Sequence, residues 1–209
     1  MHFFHHQLDR FCQQAGYPDP ARLRDELDRL FPETRDSDLN RDPAVQAYVA
    51  DQVIPHKLAV YAAGMSLAER LTVPDDWAWQ LARHDLSKLS VLELTGYVAY
   101  NFKDRASNPP AVKQAFAVAF LHHKHHNAHH SGHWLSLSSS GSVQALPMPR
   151  RYLVEMLADW MGASLSYSGN SDIQPWLDRS LPGLVLHPDS RRDLAQILRE
   201  AGYDPRGLG

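Results

Sequence analysis

Seven of the thirteen histidines fall within twelve consecutive positions of the stretch "FLHHKHHNAHHSGHW", residues 120–134. Imidazole binds transition metals and carboxylate accepts most hard cations, so the partners of this tract decide whether it is a metal site or a protonatable surface. Three further places offer partners. His56 lies in "IPHKLAVYAAG", the adjacent pair His84-Asp85 opens "HDLSK", and Asp159 lies in "EMLADWMG". An ionised carboxylate in an apolar stripe is costly unless it is paired or bound to a metal, so Asp159 asks for a partner, with a hydrogen-bonded core or boundary position the competing account for it and for His56 taken singly. Within the tract, His122, His125 and His129 would share about 60° of arc on one helix. His123, His126 and His130 form a second set of the same spacing, and helical geometry alone does not choose between them. The competing account is a helix end whose histidines favour the negative pole of the helix dipole.

Taken in order, His56, His84, Asp85 and Asp159 make the pattern H…HD…D, and over about residues 44–167 the chain resembles the HD-domain superfamily. That group is all-helical and holds its metal through a histidine, an adjacent His-Asp pair and a distant aspartate. The tracts "HDLSK", "LHHKHHNAHH" and "MPRRYLVEMLADWMGAS" also look like an uncharacterised branch of small bacterial and phage proteins. The resemblance implies a metal set of His56, His84, Asp85 and Asp159. It favours His122, His125 and His129 as further ligands, with His123, Asn127 and His130 supporting them. It also implies one or two divalent ions, with iron, manganese, zinc and cobalt not distinguished, and makes Asp85 the bridge if there are two. In related "HDxxK" motifs the lysine holds an anionic substrate, which assigns that role to Lys88 and makes Asp85 and Lys88 the catalytic pair. Arg83, Lys124 and Arg151 are additional cations that could contact a phosphate.

The implied activity is metal-dependent phosphohydrolysis of a small phosphate ester or nucleotide. Two alternatives stand beside it: a diiron oxygenase of the HD type, and a metal-binding interaction module without turnover. Glu93 follows the His-Asp pair too distantly to match the catalytic glutamate of some mononuclear members. There is no glycine-rich phosphate loop and no G-x-S-x-G elbow.

The elements expected to carry these residues are helices, so the fold class is all-α, an HD-like bundle with the metal between core helices. A first helix over about 2–15 ends at "AGYPDP", where Gly16 supplies a left-handed cap and Pro18 prevents continuation. "PARLRDELDRLF" places Leu23, Leu27 and Leu30 on one face, and Pro55 marks a kink or fresh start in the segment carrying His56. Pro74 with acids behind it opens a helix that ends near His84-Asp85. The run "AVKQAFAVAFLHHKHH" has apolar residues on nearly every side, as expected of a buried helix. Residues 131–149, rich in Ser and Gly, are expected to form a long mobile loop that could act as a lid. Helices over "RRYLVEMLADWMGASLSY" and "DSRRDLAQILREAGYDP" complete the chain. The second "AGY" repeats helix-stop chemistry rather than a domain. The expected division is a helical extension over 1–43, an HD-like core over 44–170, and a second extension over 171–209 packed on that core.

The formal net charge of -3 argues against general nucleic-acid binding. No apolar run approaches the ~18 residues of a membrane span, and the start lacks the form of a secretory signal. The single cysteine, Cys12, cannot form an internal disulfide. A cytoplasmic protein acting on a small anionic substrate is expected, with self-association compatible with the composition.

Overall fold

A computed structural model describes residues 2–101, 105–170 and 172–208, with Tyr167 described by its backbone alone. The chain is mostly helical: α1 (Phe3–Ala15), α2 (Pro20–Leu30), α3 (Pro43–Tyr48), α4 (Ile54–Leu67), α5 (Trp77–Ala82), α6 (Val91–Asn101), α7 (Pro110–His126), α8 (Arg150–Ser168), α9 (Gln174–Ser180) and α10 (Pro188–Ala201). Two short strands, β1 (Leu135–Leu137) and β2 (Val143–Ala145), form an antiparallel hairpin. No helix among the described residues is long and apolar enough to cross a membrane.

The chain divides into two compact units, Met1–Leu58 with Ala82–Asn127, and Ala59–Leu81 with Ala128–Gly209. This is a different division from the one expected, because residues 1–43 fold into the same unit as the His-Asp pair. One boundary falls within α4, so His56 is in the first unit.

In the first unit, α1 buries Phe4, Leu8, Phe11 and Cys12, a stripe at helical spacing. Asp19 caps α2 by accepting from the Arg22 amide at 2.9 Å, and α2 buries Leu23 and Leu27. Asp42 does the same for α3, accepting from the Ala44 amide at 2.8 Å. Between α3 and α4 the helix continues through a π-helical turn, Val49–Val53. Pro55 explains the widening: its ring would press on the carbonyl of Asp51 in a regular helix and it has no N–H to offer.

α6 and α7 pack along each other at close range. A Cβ at Gly96 would stand 2.5 Å from the Ala119 Cβ and 2.9 Å from the Ala115 carbonyl oxygen, so only glycine permits this approach. Gly96→Ala is therefore expected to cost about 1–3 kcal/mol by overpacking. A lower midpoint of urea unfolding with an unchanged slope would show it.

One expectation is corrected by α7. Its all-round apolar composition suggested a core helix, yet Ala119 and His123 are its buried residues, while Val118, Phe120 and Leu121 are 40–49% exposed. The reason is that α7 is packed chiefly along α6, which covers one stripe and leaves the remainder uncovered.

In the second unit, the end of α4 and α8 meet closely, since a Cβ at Gly162 would fall 2.6 Å from the Val60 amide nitrogen. The Trp77 indole donates to the Gly64 carbonyl at 2.9 Å, and α10 packs on α8. The stretch expected to be a loop is more ordered than that. Ser131–Trp134 forms a 3-10 turn and the hairpin follows, its Ser138–Ser142 turn containing Gly141 at φ +81°. Both "AGY" sequences close their helices in the same way. The Tyr17 amide bonds the Cys12 carbonyl and the Tyr203 amide bonds the Leu198 carbonyl, each after a left-handed glycine.

Candidate metal centre

Asp85 is where local backbone and chemistry meet. After α5 ends at Ala82, the chain turns through Arg83–Asp85 into a 3-10 turn over Leu86–Leu89. Asp85 itself takes the left-handed conformation, φ +55° and ψ +25°. Aspartate tolerates this region better than most residues, but it still carries a backbone cost that the surroundings must hold in place. Two contacts hold it. The Lys57 ammonium donates to the His84 carbonyl at 2.5 Å and lies 4.9 Å from the centre of the Phe11 ring. Arg83, exposed, pairs with Glu26 of α2 at 3.3 Å.

Around the Asp85 carboxylate three imidazoles converge. His56 Nε2 and His84 Nε2 stand 3.3 and 3.4 Å from Oδ2, and His123 Nε2 stands 3.4 Å from Oδ1. Every one of these four residues is at most 3% exposed. Lys88 Nζ lies 2.7 Å from Oδ2. Burial opposes ionisation of Asp85, but electrostatic attraction from His84, Lys88, His123 and His56 around it holds its carboxyl well below the usual range. It is an anion in the folded protein.

The donor set could hold a metal ion. Ligand atoms of His56, His84 and Asp85 all lie within 4.8 Å of one another. Ligands about 2.0–2.1 Å from an ion at tetrahedral angles stand about 3.3–3.4 Å apart, whereas a charge-assisted hydrogen bond is closer to about 2.8 Å. The imidazole–carboxylate separations match the former.

Behind His123 stands Glu93, fully buried on α6. Its Oε2 accepts from His123 Nδ1 at 2.9 Å and its Oε1 from His122 Nδ1 at 2.7 Å. A carboxylate on one ring nitrogen fixes the tautomer and turns the other nitrogen towards the site, as in carboxylate–histidine–metal arrangements. Asn127, at the end of α7, donates to Ser87 Oγ at 2.7 Å and to the His123 carbonyl at 2.8 Å, tying the helix end to the His-Asp turn.

The expected grouping of His122, His125 and His129 is not what forms. α7 ends at His126 and Asn127 is extended, so His129 and His130 are off the helix on which the spacing argument placed them. His125 is exposed, about 200° around α7 from the inward-facing His123. His122 turns to Glu93. Of the proposed anion contacts, Lys88 is beside Asp85, Arg83 pairs with Glu26, and Lys124 stands 5.0 Å from the Phe120 ring.

His129, His130, Arg151 and Asp159 belong to the second unit. His129, 1% exposed, places Nδ1 3.3 Å from Glu155 and Nε2 3.9 Å from Asp159, while its ring lies 4.2 Å from that of His130. Gln80 donates to Glu155 Oε2 at 2.5 Å and accepts from Arg151 Nε at 2.6 Å. Arg151 also grips both oxygens of Asp76 at 2.9 and 3.0 Å, so its guanidinium is committed to a local network.

Lys57 and Glu155 were not singled out from sequence, and Glu93 was weighed only as a catalytic glutamate and set aside, although a signal existed. Each is a charged residue inside an apolar helix, the same feature that drew attention to Asp159.

These features define a helical protein with buried histidine–carboxylate clusters that could hold a metal ion. The chain belongs to a family of unknown function (DUF5662), whose model matches residues 45–200. No curated protein and no solved structure matches it.

Proposed function

We propose that the first unit binds a divalent transition-metal ion through His56, His84 and Asp85, with His123 on the other carboxylate oxygen, and that the protein hydrolyses a small phosphate ester or nucleotide. The convergence of three buried imidazoles on the two oxygens of Asp85 carries this reading. A divalent ion in such a set supplies Lewis acidity and lowers the pKa of coordinated water. Asp85 contributes the anionic ligand. Glu93 keeps His123 in one tautomer, and Lys88 holds an ammonium beside the carboxylate, where it can neutralise charge on a phosphoryl oxygen. The resemblance to HD proteins adds Asp159 as a ligand.

The test is the full-length, untagged protein prepared without a nickel column, assayed for metal by plasma emission and for phosphate release from nucleotides and sugar phosphates. Bound zinc, manganese or cobalt with chelator-sensitive turnover is expected. Lys88→Ala should lower kcat/KM by about 10²–10³ at unchanged metal content. Asp159→Asn, in the same metal assay, tests the ligand that the resemblance adds. An imidazole-rich set also suits iron, which favours oxidation by a diiron centre as a second reading. About two irons per chain with oxygen consumption and no phosphate release would decide for it, and bound metal without any turnover would decide for a binding module.

A further inference from the structure

We infer that His122 and His126 form a second, outer metal site on α7, weaker than the buried cluster and selective for ions that prefer imidazole nitrogen: zinc, copper(II), nickel(II) or cobalt(II). It goes beyond the proposed hydrolytic centre because it uses none of the atoms grouped around Asp85.

Two histidines four residues apart share one helix face, the spacing that H-E-x-x-H helices use to chelate zinc. Here the rings lie 3.8 Å apart between centroids and 27° from parallel. The hydrogen bonds assign their tautomers. His122 Nδ1 is 2.7 Å from Glu93 Oε1, and an ionised carboxylate can only accept, so this nitrogen carries the proton. His126 Nδ1 is 3.0 Å from the backbone carbonyl of His122, which also only accepts. In both neutral rings the remaining lone pair is therefore on Nε2, the arrangement a metal requires.

The two residues also divide the work of a site. The His122 side chain is 21% exposed and anchored to a fully buried carboxylate, giving a rigid ligand with an outer-shell partner. His126 is exposed and gives access to the incoming ion, while Phe31 flanks both rings at 5.6–6.1 Å. With two protein ligands the other positions belong to water, so binding is exchangeable. Glu93 links this pair to the buried cluster, since Oε1 holds His122 and Oε2 holds His123.

Copper(II) added to untagged full-length protein carrying its purified metal complement supplies the probe. Electron paramagnetic resonance should reveal one copper class with splitting from two nitrogens. His126→Ala should weaken that class at least tenfold while plasma emission finds the resident metal unchanged, and exposed His125→Ala should leave both readings as they were. Unaltered copper binding in His126→Ala overturns the site, as does equal loss in His125→Ala. If the buried cluster holds no metal instead, plasma emission finds none in any variant, while loss of the two-nitrogen copper signal in His126→Ala and its retention in His125→Ala still decide the outer pair; phosphate release is read separately and bears on the hydrolytic reading alone.

Discussion

Replacing Asp85 by asparagine is expected to abolish the tight metal binding proposed for the first unit while leaving the fold standing. Asparagine is the informative choice because Asp85 sits at φ +55°, which asparagine tolerates nearly as well as aspartate. Alanine would add the strain of a left-handed backbone, of order 1–2 kcal/mol, and confuse loss of a ligand with loss of stability. The amide keeps the shape but removes the one negative charge on which His56, His84 and His123 converge. The Lys88 ammonium, 2.7 Å from the carboxylate in the wild-type protein, then remains without that negative charge to offset it. Affinity should fall by at least about 100-fold, the upper range for losing a mere outer-shell partner. Thermal unfolding gives an independent reading. A ligand present at about 1,000 times its Kd stabilises the folded state by about 4.1 kcal/mol. Added zinc or manganese should therefore raise the Tm of the wild-type protein and leave that of Asp85→Asn unmoved. Retention of metal by this variant would remove Asp85 from the site and the proposed function with it.

Helix content was legible in the sequence wherever local rules decide it. The segment beginning at Pro20 that forms α2 and the glycine stops of α1 and α10 are local chemistry, and they fall where expected. His56, His84 and Asp85 were legible for a different reason, the order H…HD. What pattern could not supply was the direction of α7. Its composition is apolar on every side, so periodicity carried no information about which face is inward, and a close contact at Gly96 settles that His123 faces in and His125 out. Arc arithmetic across His122–His130 failed at Asn127, where the helix stops with no glycine or proline in the sequence to announce it. Lys57 and the role of Glu93 escaped because their partners, the His84 carbonyl for one and His122 and His123 for the other, are 27–30 residues away in sequence.

The second large effect concerns residues 1–43, which precede the stretch matched by the family model. Deleting them is expected to unfold the first unit. Phe4, Leu8 and Phe11 of α1 and Leu23 and Leu27 of α2 are all 0% exposed. At about 1.5–3 kcal/mol for each fully buried side chain, these five alone rival the ~5–15 kcal/mol by which a whole domain is stable. The loss would also reach the metal centre. Phe11 lies against Lys57, whose ammonium fixes the His84 carbonyl, Glu26 holds Arg83, and α2 packs on the turn that follows Asp85. A chain beginning at residue 44 should therefore show no cooperative unfolding of the first unit by circular dichroism and no tight metal. Phe11→Leu offers a milder version in which the helix survives, and it should lower stability and metal affinity together, because the same ring supports both the core and Lys57. A truncated chain that still unfolds cooperatively and retains its ion would mean that α1 and α2 merely decorate a centre able to hold its left-handed aspartate unaided.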